Sequence, residues 1–375
     1  MGKPASLAAV SRGAHVAARL FSRAFPRPQI LLPTAAGLDI SDASVKWIVL
    51  QHTGEGKEVR AFGHEELPAG VVVNGAIQDA AALAEVLRPL RQKIGITAIH
   101  AALPEESAYI FSMHVPSISS RQQVSSLIEF ELQDRVPIAP AEAVYDFDVI
   151  EERDDGAEIG VTVFPRDLAS AYASAFSSAG LSLLSLEVEA SSIARAIAGR
   201  DADEPITLVV DFGGLRTGLT VLKRGIPIFT STVAIGGSSI DRILGEKLKL
   251  SPEATLAFKN EEGLIVREGG DPALKDAILG VASALADEVV RHFHYWDTRR
   301  NQRGDRLTPL ERIYLLGGSA NLRGLADYLA ARAQVEVVRP NVWRNVCSFD
   351  DYIPPIERRV SLEYATAIGL ALRSW

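Results

Sequence analysis

Two stretches of the chain share one pattern of hydrophobic and polar positions. Residues 37–50 and 209–222 each begin with an apolar run that ends in an aspartate, Asp39 or Asp211, and pass through a turn of small residues into a second apolar run. Two short apolar runs joined by such a turn are typical of a β-hairpin. The sequence therefore predicts two hairpins, 172 residues apart, each with an acidic corner.

A third glycine-rich turn follows further along the chain. Residues 313–324 combine an apolar strand, the turn Gly317-Gly318-Ser319 and the beginning of a helical pattern that ends near Ala331. Elsewhere, residues 168–186 are uncharged and nearly long enough to span a bilayer, but six serines and Gly180 interrupt them. We predict a helix up to Ala179 that Gly180 stops, followed by a strand over residues 181–186.

Helical spacing also decides between two kinds of candidate chemistry. Apolar residues between 274 and 296 keep a helical period, so His292 and His294 point to different sides of one helix, which favours a structural role over a metal-binding pair. Residues 124–132 predict an amphipathic helix that ends before Pro137. Its Glu129 and Glu131 face apart, which favours a solvated or partner-binding surface over paired catalytic carboxylates.

The composition is that of an ordinary soluble globular protein. The 375 residues include 39 basic and 47 acidic side chains, which gives a net charge of −8, and 47% of the residues are hydrophobic. This length predicts two or three domains, and the acidic balance argues against nucleic-acid binding. Cys347 is the one cysteine of the sequence, so an intrachain disulfide is excluded and a reducing, cytoplasmic location is expected.

The first 38 residues differ from this average because they are basic. They contain no acidic residue and five basic ones, which are Lys3, Arg12, Arg19, Arg23 and Arg27. On a helical wheel an apolar stripe lies opposite three of the arginines, which predicts a basic amphipathic leader over residues 1–33. Such a helix binds an anionic membrane surface or a partner protein. The same pattern is also typical of a transit peptide or of a solvated leader without a partner.

Small residues at the three turns suit the binding of phosphate. Where side chains are small or absent, backbone N–H groups can approach a phosphate closely, and an aspartate at a strand end can hold a hydrated Mg²⁺. Two facing hairpins would clamp a triphosphate, although either hairpin alone is more often a structural turn. The sequence lacks the GxGxxG, GxxxxGKS/T and GxSxG patterns, which argues against Rossmann, P-loop and α/β-hydrolase proteins.

Taken together, these segments resemble the actin-like ATPase superfamily and, within it, the type IV pilus assembly PilM family, a relative of the cell-division protein FtsA. The resemblance covers residues 35–375. It implies an α/β fold with two lobes, built from duplicated ribonuclease-H-like domains, and a small inserted subdomain of the FtsA/PilM type. The implied divisions are the leader over 1–33, lobe 1 over 34–100 completed by 185–203 and 358–375, the insert over 101–184, and lobe 2 over 204–357.

The resemblance also implies a site for ATP and Mg²⁺. The nucleotide-binding residues would be Ser41, Ser44, Lys46, Gly213, Gly214, Thr217, Gly236, Gly237, Lys259, Gly317, Gly318 and Ser319. The metal carboxylates would be Asp39, Asp211 and Glu187. The segment of Glu187 and residues 365–371 resemble the two helices that connect the superfamily's halves. In one departure from the family pattern, Ser41 replaces the usual glycine and Asp42 follows it, and this further carboxylate repels phosphate unless a metal lies between them.

The implied function is that of a cytoplasmic, ATP-binding scaffold of type IV pilus assembly, peripheral to the inner membrane, with at most slow ATPase activity. Its partners would be the N-terminal cytoplasmic tail of a PilN-like inner-membrane protein, bound beside the insert, and other pilus assembly components. The leader would add contact with the membrane surface. Two alternatives are an FtsA-like filament protein of cell division and a sugar-type kinase, which needs a carbohydrate site rich in Asp, Asn and Trp that the sequence does not display.

Overall fold

The computed structural model describes residues 34–53, 56–116, 120–199, 204–265, 272–300, 304 and 306–373, and the predicted leader over 1–33 lies outside these ranges. The described strands are β1 (Ala36–Ile40), β2 (Ser44–Thr53), β3 (Gly56–Glu66), β4 (Val72–Val73), β5 (Ala76–Ile77), β6 (Ala98–Leu103), β7 (Tyr109–Pro116), β8 (Ala143–Arg153), β9 (Gly156–Pro165), β10 (Ser182–Val188), β11 (Ile206–Phe212), β12 (Thr217–Lys223), β13 (Ile226–Val233), β14 (Leu310–Leu316) and β15 (Glu336–Val338). The described helices are α1 (Ala80–Ile94), α2 (Arg121–Arg135), α3 (Arg166–Ser178), α4 (Glu189–Ile197), α5 (Ser238–Leu248), α6 (Pro252–Glu261), α7 (Pro272–Thr298), α8 (Leu325–Ala333), α9 (Arg358–Ser361) and α10 (Ala365–Ala371).

Two sheets with the same strand order form the centres of the two lobes. Within the described ranges, lobe 1 has the order β3-β2-β1-β6-β10, and lobe 2 has the corresponding order β13-β12-β11-β14-β15. In chain order, the first three strands of each sheet pair antiparallel. The fourth strand, β6 in lobe 1 and β14 in lobe 2, runs parallel to the first, β1 or β11. The internal repeat that the sequence predicts is therefore a repeat of a whole sheet, and the two predicted hairpins are β1-β2 and β11-β12.

The hairpin strands are buried because both faces of each sheet are covered. Leu38 in β1 and Val210 in β11 are fully buried, as are Val49 and Leu219 in the strands that follow them. Nearly continuous apolar runs of this kind are expected for strands that pack on both faces. The consequence is a rigid frame that fixes the position of each turn at the end of its hairpin.

The inserted subdomain has a sheet and an apolar core of its own. Strands β7, β9 and β8 pair in that order, and α2 packs on them through Val124, Ile128 and Leu132. This unit covers residues 109–165, which is less than the expected insert over 101–184. The difference arises at both ends, since β6 pairs inside the lobe 1 sheet and α3 buries Tyr172 and Phe176 in the lobe 1 core.

The insert also contacts lobe 2 directly. The Lys223 Nζ atom at the end of β12 lies 2.7 Å from Glu158 Oε2, and the Arg224 guanidinium lies 2.8 Å from Glu151 Oε1. Glu151 and Glu158 belong to β8 and β9, so these ion pairs connect the insert to the edge of the second sheet. The insert is therefore in a position to transmit a displacement to lobe 2.

Two further sequence predictions concern single elements. α3 ends at Ser178, Gly180 has a φ of +73°, and β10 begins at Ser182, which confirms the helix stop and the strand predicted for residues 168–186. His292 and His294 both lie on α7, which confirms the predicted helix, and the His292 Nδ1 atom lies 2.9 Å from the Glu288 carbonyl oxygen. Across the described ranges, no helix is both long and apolar enough to cross a membrane.

Helices α4 and α10 cross each other between the sheets without any side chain at the crossing point. Gly369 of α10 lies against the Ser192 backbone of α4, where a β-carbon would overlap the Ser192 carbonyl oxygen. Gly37 of β1 faces α10 in the same way. Ile193 and Ile368 of these helices join a core that includes Ile48 of lobe 1 and Leu208 of lobe 2. The two lobes therefore share one apolar core around this crossing.

Replacing Gly369 with alanine should destabilise the protein by about 2 kcal/mol, because overpacking a close contact costs about 1–3 kcal/mol. Gly280→Ala is the matched control, since Gly280 lies on exposed α7 surface with open space around its Cα. That change should stabilise the protein by up to about 1 kcal/mol, the difference in helix propensity. Urea unfolding of both variants measures this, and equal effects would contradict the close crossing.

Candidate functional site

The two hairpin turns open into one cleft between the lobes. β1 leads into the turn over residues 41–43, and β11 leads into the turn over residues 213–216. The cleft has a volume of about 290 Å³. The structure brings together ten of the predicted site residues along its wall, which are Asp39, Ser41, Ser44, Lys46, Asp211, Gly213, Gly214, Gly317, Gly318 and Ser319.

Two predicted residues support the second turn from behind the cleft wall. The Thr217 hydroxyl is buried and donates a hydrogen bond to the Ile235 carbonyl at 2.7 Å. Lys259 is also buried, and its Nζ donates to Asp241 Oδ1 at 2.8 Å. Both polar groups are therefore engaged inside lobe 2, where they fix the segment that lies under the turn.

The predicted glycine pair at 236–237 has a packing role. A β-carbon on Gly236 would overlap the Gly214 carbonyl, and one on Gly237 would overlap the Ser319 hydroxyl. The Gly237 N–H also donates to the Gly213 carbonyl at 3.0 Å. The absence of side chains at both positions lets the second and third glycine turns approach each other at the cleft.

In the first turn, serine hydroxyls close the loop. The Ser41 N–H donates to the Ser44 carbonyl at 2.8 Å, and the Ser44 N–H donates to the Ser41 hydroxyl at 3.1 Å. Lys46 Nζ donates to the Ser44 hydroxyl at 3.2 Å and lies opposite Asp39 in the β1-β2 register. Ser41 therefore replaces the usual glycine without disrupting the turn, because its side chain completes the hydrogen bonding of the loop.

Four carboxyl groups meet at the floor of the cleft, where Glu105 is buried and Asp39, Asp211 and Glu189 are half-buried. Burial, with the charge of Asp39 as a second cause, raises the pKa of Asp211 to about 7. Burial and the charge of Asp211 raise the pKa of Glu105 to about 8. Burial also raises the pKa of Asp39, against the attraction of Lys46, and raises the pKa of Glu189 well above its ordinary value. Each raised pKa favours the protonated form of its group, whereas a cation bound beside the group would favour the ionised form.

Glu187, predicted as a metal ligand, is not among the side chains that line the cleft. Its Oε2 accepts a hydrogen bond from Arg195 at 2.7 Å, and Arg373 pairs with the same oxygen. Burial acts to raise the pKa of Glu187, but hydrogen bonds and charge from these arginines hold it below its ordinary value. Glu189, two residues later at the start of α4, is the carboxylate that this segment contributes to the cleft.

Five charged residues that line the cleft were not predicted from the sequence, namely Glu105, Glu106, Glu189, Arg216 and Glu363. Glu105 and Glu106 form a 3₁₀ turn, Glu105–Ser107, directly after β6. Glu105 reaches lobe 2, where Thr220 Oγ1 donates to its Oε1 at 3.3 Å and the missing side chain of Gly218 leaves room for it. A carboxyl shortly after a strand was the signal available for Glu105, Glu106 and Glu189, whereas Arg216 has no such local signal.

A second groove adjoins the cleft at Leu362. It has a volume of about 1,020 Å³ and lies beside the continuation of the third glycine turn, at Asn321 and Arg323. Asn260 from the end of α6 and Arg359 from α9 line it as well. The groove thus begins where the Gly317–Ser319 turn ends, on the side of lobe 2.

The balance of charge in the cleft suits a divalent cation. Among the described residues that line it, seven are acidic, while Lys46 and Arg216 carry the positive charge. Carboxylate oxygens together with water are the ligands that Mg²⁺ prefers in proteins. The donor set at Asp39 and Asp211 therefore fits a hydrated Mg²⁺, and the small residues of the three turns fit phosphate groups.

Comparison with known proteins agrees with this geometry. The model of the family described as "Type IV pilus assembly protein PilM" matches residues 37–375. The chain belongs to the PilM family. The family resemblance predicted from the sequence is thereby confirmed.

Solved structures support the same fold. The chain is similar to one in the "PilM-PilN type IV pilus biogenesis complex", with 23% identity, a TM-score of 0.73, and coverage of 91% of this chain and 98% of the other. It is also similar to the ethanolamine utilization protein EutJ from Carboxydothermus hydrogenoformans, with 19% identity, a TM-score of 0.50, and coverage of 91% and 89%. The predicted actin-like ATPase fold is therefore confirmed for this PilM-family chain.

The buried carboxyls predict a decline in stability with pH. A carboxyl whose pKa is raised by folding binds its proton more tightly in the folded state, so its contribution is present at low pH and lost as pH rises through the folded pKa. Because the ordinary carboxyl pKa is about 4 and the folded pKa values of Asp211 and Glu105 are about 7 and about 8, the melting temperature in Mg²⁺-free buffer should fall as the pH is raised from about 4 to about 8.

Asp211→Asn should flatten this decline, because the amide does not ionise. Asp287→Asn is the matched control, since Asp287 is 63% exposed and pairs with Arg332 on the surface of α7. Thermal unfolding across the pH range measures both variants. Equal slopes for the two variants would show that Asp211 is not a source of the pH dependence.

Proposed function

We propose that this chain is a nucleotide-binding scaffold of type IV pilus assembly, which holds Mg-ATP between its lobes and binds the cytoplasmic tail of a PilN-like inner-membrane protein. The observation that carries the proposal is the meeting of both aspartate hairpins and the third glycine turn at one cleft in a PilM-family chain. The chain would act on the cytoplasmic side, peripheral to the inner membrane through its partner.

Each part of the site has a separate task in this proposal. Asp39 and Asp211 would hold the hydrated Mg²⁺, which neutralises phosphate charge when it is bound. The backbone of the turns at 41–44 and 213–216, with Lys46, would bind the phosphates, since small residues allow a close approach. The groove beside Asn321 would accept the nucleoside, because it is continuous with the Gly317–Ser319 turn.

Any hydrolysis by this chain should be slow. Glu189 is the carboxyl that α4 contributes to the cleft, and its raised pKa favours the protonated form, which cannot take a proton from a water molecule. The charges of Asp39 and Glu105 add to the effect of burial in raising the pKa of Glu189. A scaffold requires only that nucleotide and partner each prefer one arrangement of the lobes, since differential affinity is what couples two sites.

Mg-ATP should raise the melting temperature of the protein. At a ligand concentration about 100 times the dissociation constant, the expected stabilisation is about 2.7 kcal/mol. Asp211→Asn should lose most of this shift, because half of the metal's carboxylate support is gone, while the exposed-site control Asp287→Asn should retain it. ATP with excess EDTA should stabilise the unaltered chain much less. A thermal-shift titration in which Mg-ATP has no effect on the unaltered chain would rule out the site.

The proposed partner surface lies on the insert. Phe130 of α2 is 74% exposed, although a phenylalanine normally packs inside. Asp134 lies one turn further along α2 on the same side as Phe130, so the helix presents a large apolar side chain beside an acidic one. A short peptide with both apolar and basic residues complements such a surface, and the tail of a membrane protein near anionic lipid has this character.

A peptide of the N-terminal cytoplasmic tail of a PilN-like inner-membrane protein from the same organism should bind the full chain. Phe130→Ser should weaken that binding about tenfold, or about 1.4 kcal/mol, since exposed aromatic anchors carry much of the energy of an interface. Tyr295→Ser is the matched control, because Tyr295 is 61% exposed on α7 in lobe 2. Fluorescence anisotropy of the labelled peptide measures the affinities. Equal effects of the two substitutions would place the partner elsewhere.

A further inference from the structure

Arg216 lies in the turn over residues 213–216 of lobe 2, the second phosphate turn, and pairs with two carboxylates of lobe 1. Its Nη2 lies 2.5 Å from Asp42 Oδ1 in the first phosphate turn, and its Nη1 pairs with Glu106 in the 3₁₀ turn after β6. The three side chains are only 12–20% exposed. One guanidinium thus connects three loops at the mouth of the cleft, two from lobe 1 and one from lobe 2.

Both acceptors of this bridge are held in place by other contacts. Asp42 Oδ2 accepts the Asn74 N–H at 2.9 Å, and its Oδ1 accepts the Gly75 N–H at 3.0 Å. Gly75 has a φ of +71° and packs against Pro104, where a β-carbon would overlap the ring. Asp42 is therefore fixed by the turn between β4 and β5, and it cannot move away from Arg216 without losing three hydrogen-bonding partners.

Glu106 is fixed in a similar way by the residue before it. The Glu105 carboxyl is buried against Thr220 and Gly218 of lobe 2. This contact anchors the 3₁₀ turn across the cleft and holds Glu106 beside Arg216. The bridge therefore joins groups that the fold has already brought to the cleft mouth, and it loses less side-chain entropy than a pair of free surface residues.

An ordinary surface ion pair would carry little weight, since exposed pairs contribute about 0–1 kcal/mol. Arg242 and Glu246, which are 66% and 64% exposed, are such a pair in this chain. Arg216 differs because water is largely excluded and two carboxylates share one cation. Although burial acts to lower it, Glu106 and Asp42 hold the pKa of Arg216 above its ordinary value. Removing one partner of a buried pair leaves an uncompensated charge, which is far more costly than the absence of both.

We propose that Arg216 is a positioning residue of the nucleotide site, which ties the two phosphate turns together across the cleft and neutralises Asp42 so that this carboxylate does not oppose a bound phosphate. The role in nucleotide binding rests on the proposed function, whereas the bridge between the lobes does not. The unusual sequence of the first turn is thereby explained, because Asp42 has its counter-charge on the second turn.

The test is a double-mutant cycle with Arg216→Met, Asp42→Asn and the double variant. Methionine keeps the apolar stem of arginine. Asparagine keeps one of the two oxygens that accept the Asn74 and Gly75 N–H groups and places its amide NH2 at the other. This cost is common to Asp42→Asn and the double variant, so it cancels when these two are compared. Arg216→Met should weaken Mg-ATP binding by about tenfold or more, since Asp42 is then an unpaired charge beside the phosphates. The double variant should return to within about threefold of Asp42→Asn alone, a non-additivity that independent sites do not show.

Arg224→Met is the matched control for the loss of an arginine that pairs with a carboxylate outside lobe 2. Arg224 pairs with Glu151 of the insert, outside the cleft, so its removal should change the Mg-ATP dissociation constant by less than about threefold. Isothermal titration calorimetry at low salt measures the Mg-ATP affinities of the unaltered full chain and of the four variants. Additive effects of Arg216→Met and Asp42→Asn, or an equal loss in Arg224→Met, would overturn the proposal.

A second readout separates this inference from the nucleotide site itself. If the unaltered chain does not bind Mg-ATP, the proposed function fails, and the bridge is then judged without nucleotide by the same cycle in the free energy of unfolding. Amide hydrogen exchange at Asn74 and Gly75 should also accelerate in Arg216→Met, because Asp42 loses its fixed position. Unchanged exchange together with additive unfolding energies would show that Arg216 joins nothing.

Discussion

Carboxyl groups gathered between two lobes repel one another, and this repulsion is the constraint on which the rest of the structure depends. Asp39 and Asp211 end the first strand of each sheet, so the duplication of the sheet itself brings them to one place. Glu105 and Glu189 add to them from lobe 1. Burial without a counter-charge is costly, and the pKa of each group rises accordingly. Protons, basic side chains or a bound cation must supply the balance.

The fold supplies part of that balance with its own side chains. Lys46 lies opposite Asp39 on the neighbouring strand, and Arg216 reaches from the other lobe to Asp42 and Glu106. The floor of the cleft is left to protons or to a metal ion. At the mouth of the cleft, ion pairs of the protein join the two lobes. At the floor, carboxylate oxygens offer the ligands that a hydrated Mg²⁺ takes.

Much of the fold could be predicted from the sequence, because hydrophobic periodicity reflects burial directly. The two hairpins and the helix stop at Gly180 follow from local patterns, and the PilM-family assignment follows from the resemblance of several motifs along the chain. The limits of the insert could not be read in this way, since Tyr172 and Phe176 would fit either core and only the packing of α3 places them in lobe 1. Local pattern fixes the type of an element more readily than its neighbours.

The cleft shows a similar limit at the level of single side chains. Glu187 and Glu189 are two residues apart, but the first lies at the end of a strand against two arginines and the second begins a helix that faces the cleft. Arg216 could not be recognised either, because its partners are 174 and 110 residues away in sequence. Whether Asp42 disturbs the site or supports it depends on that distant arginine, which only the three-dimensional structure reveals.

Diffraction from crystals of the full chain grown with Mn²⁺ and ATP tests the central claim most directly. Manganese takes the same oxygen ligands as Mg²⁺ and is located by its anomalous scattering. The account predicts one manganese peak within about 5 Å of both the Asp39 and the Asp211 carboxylates, a span that allows one bridging water, with phosphate density against both turns. Ordered nucleotide outside the cleft, or a manganese peak remote from these two aspartates, would contradict it.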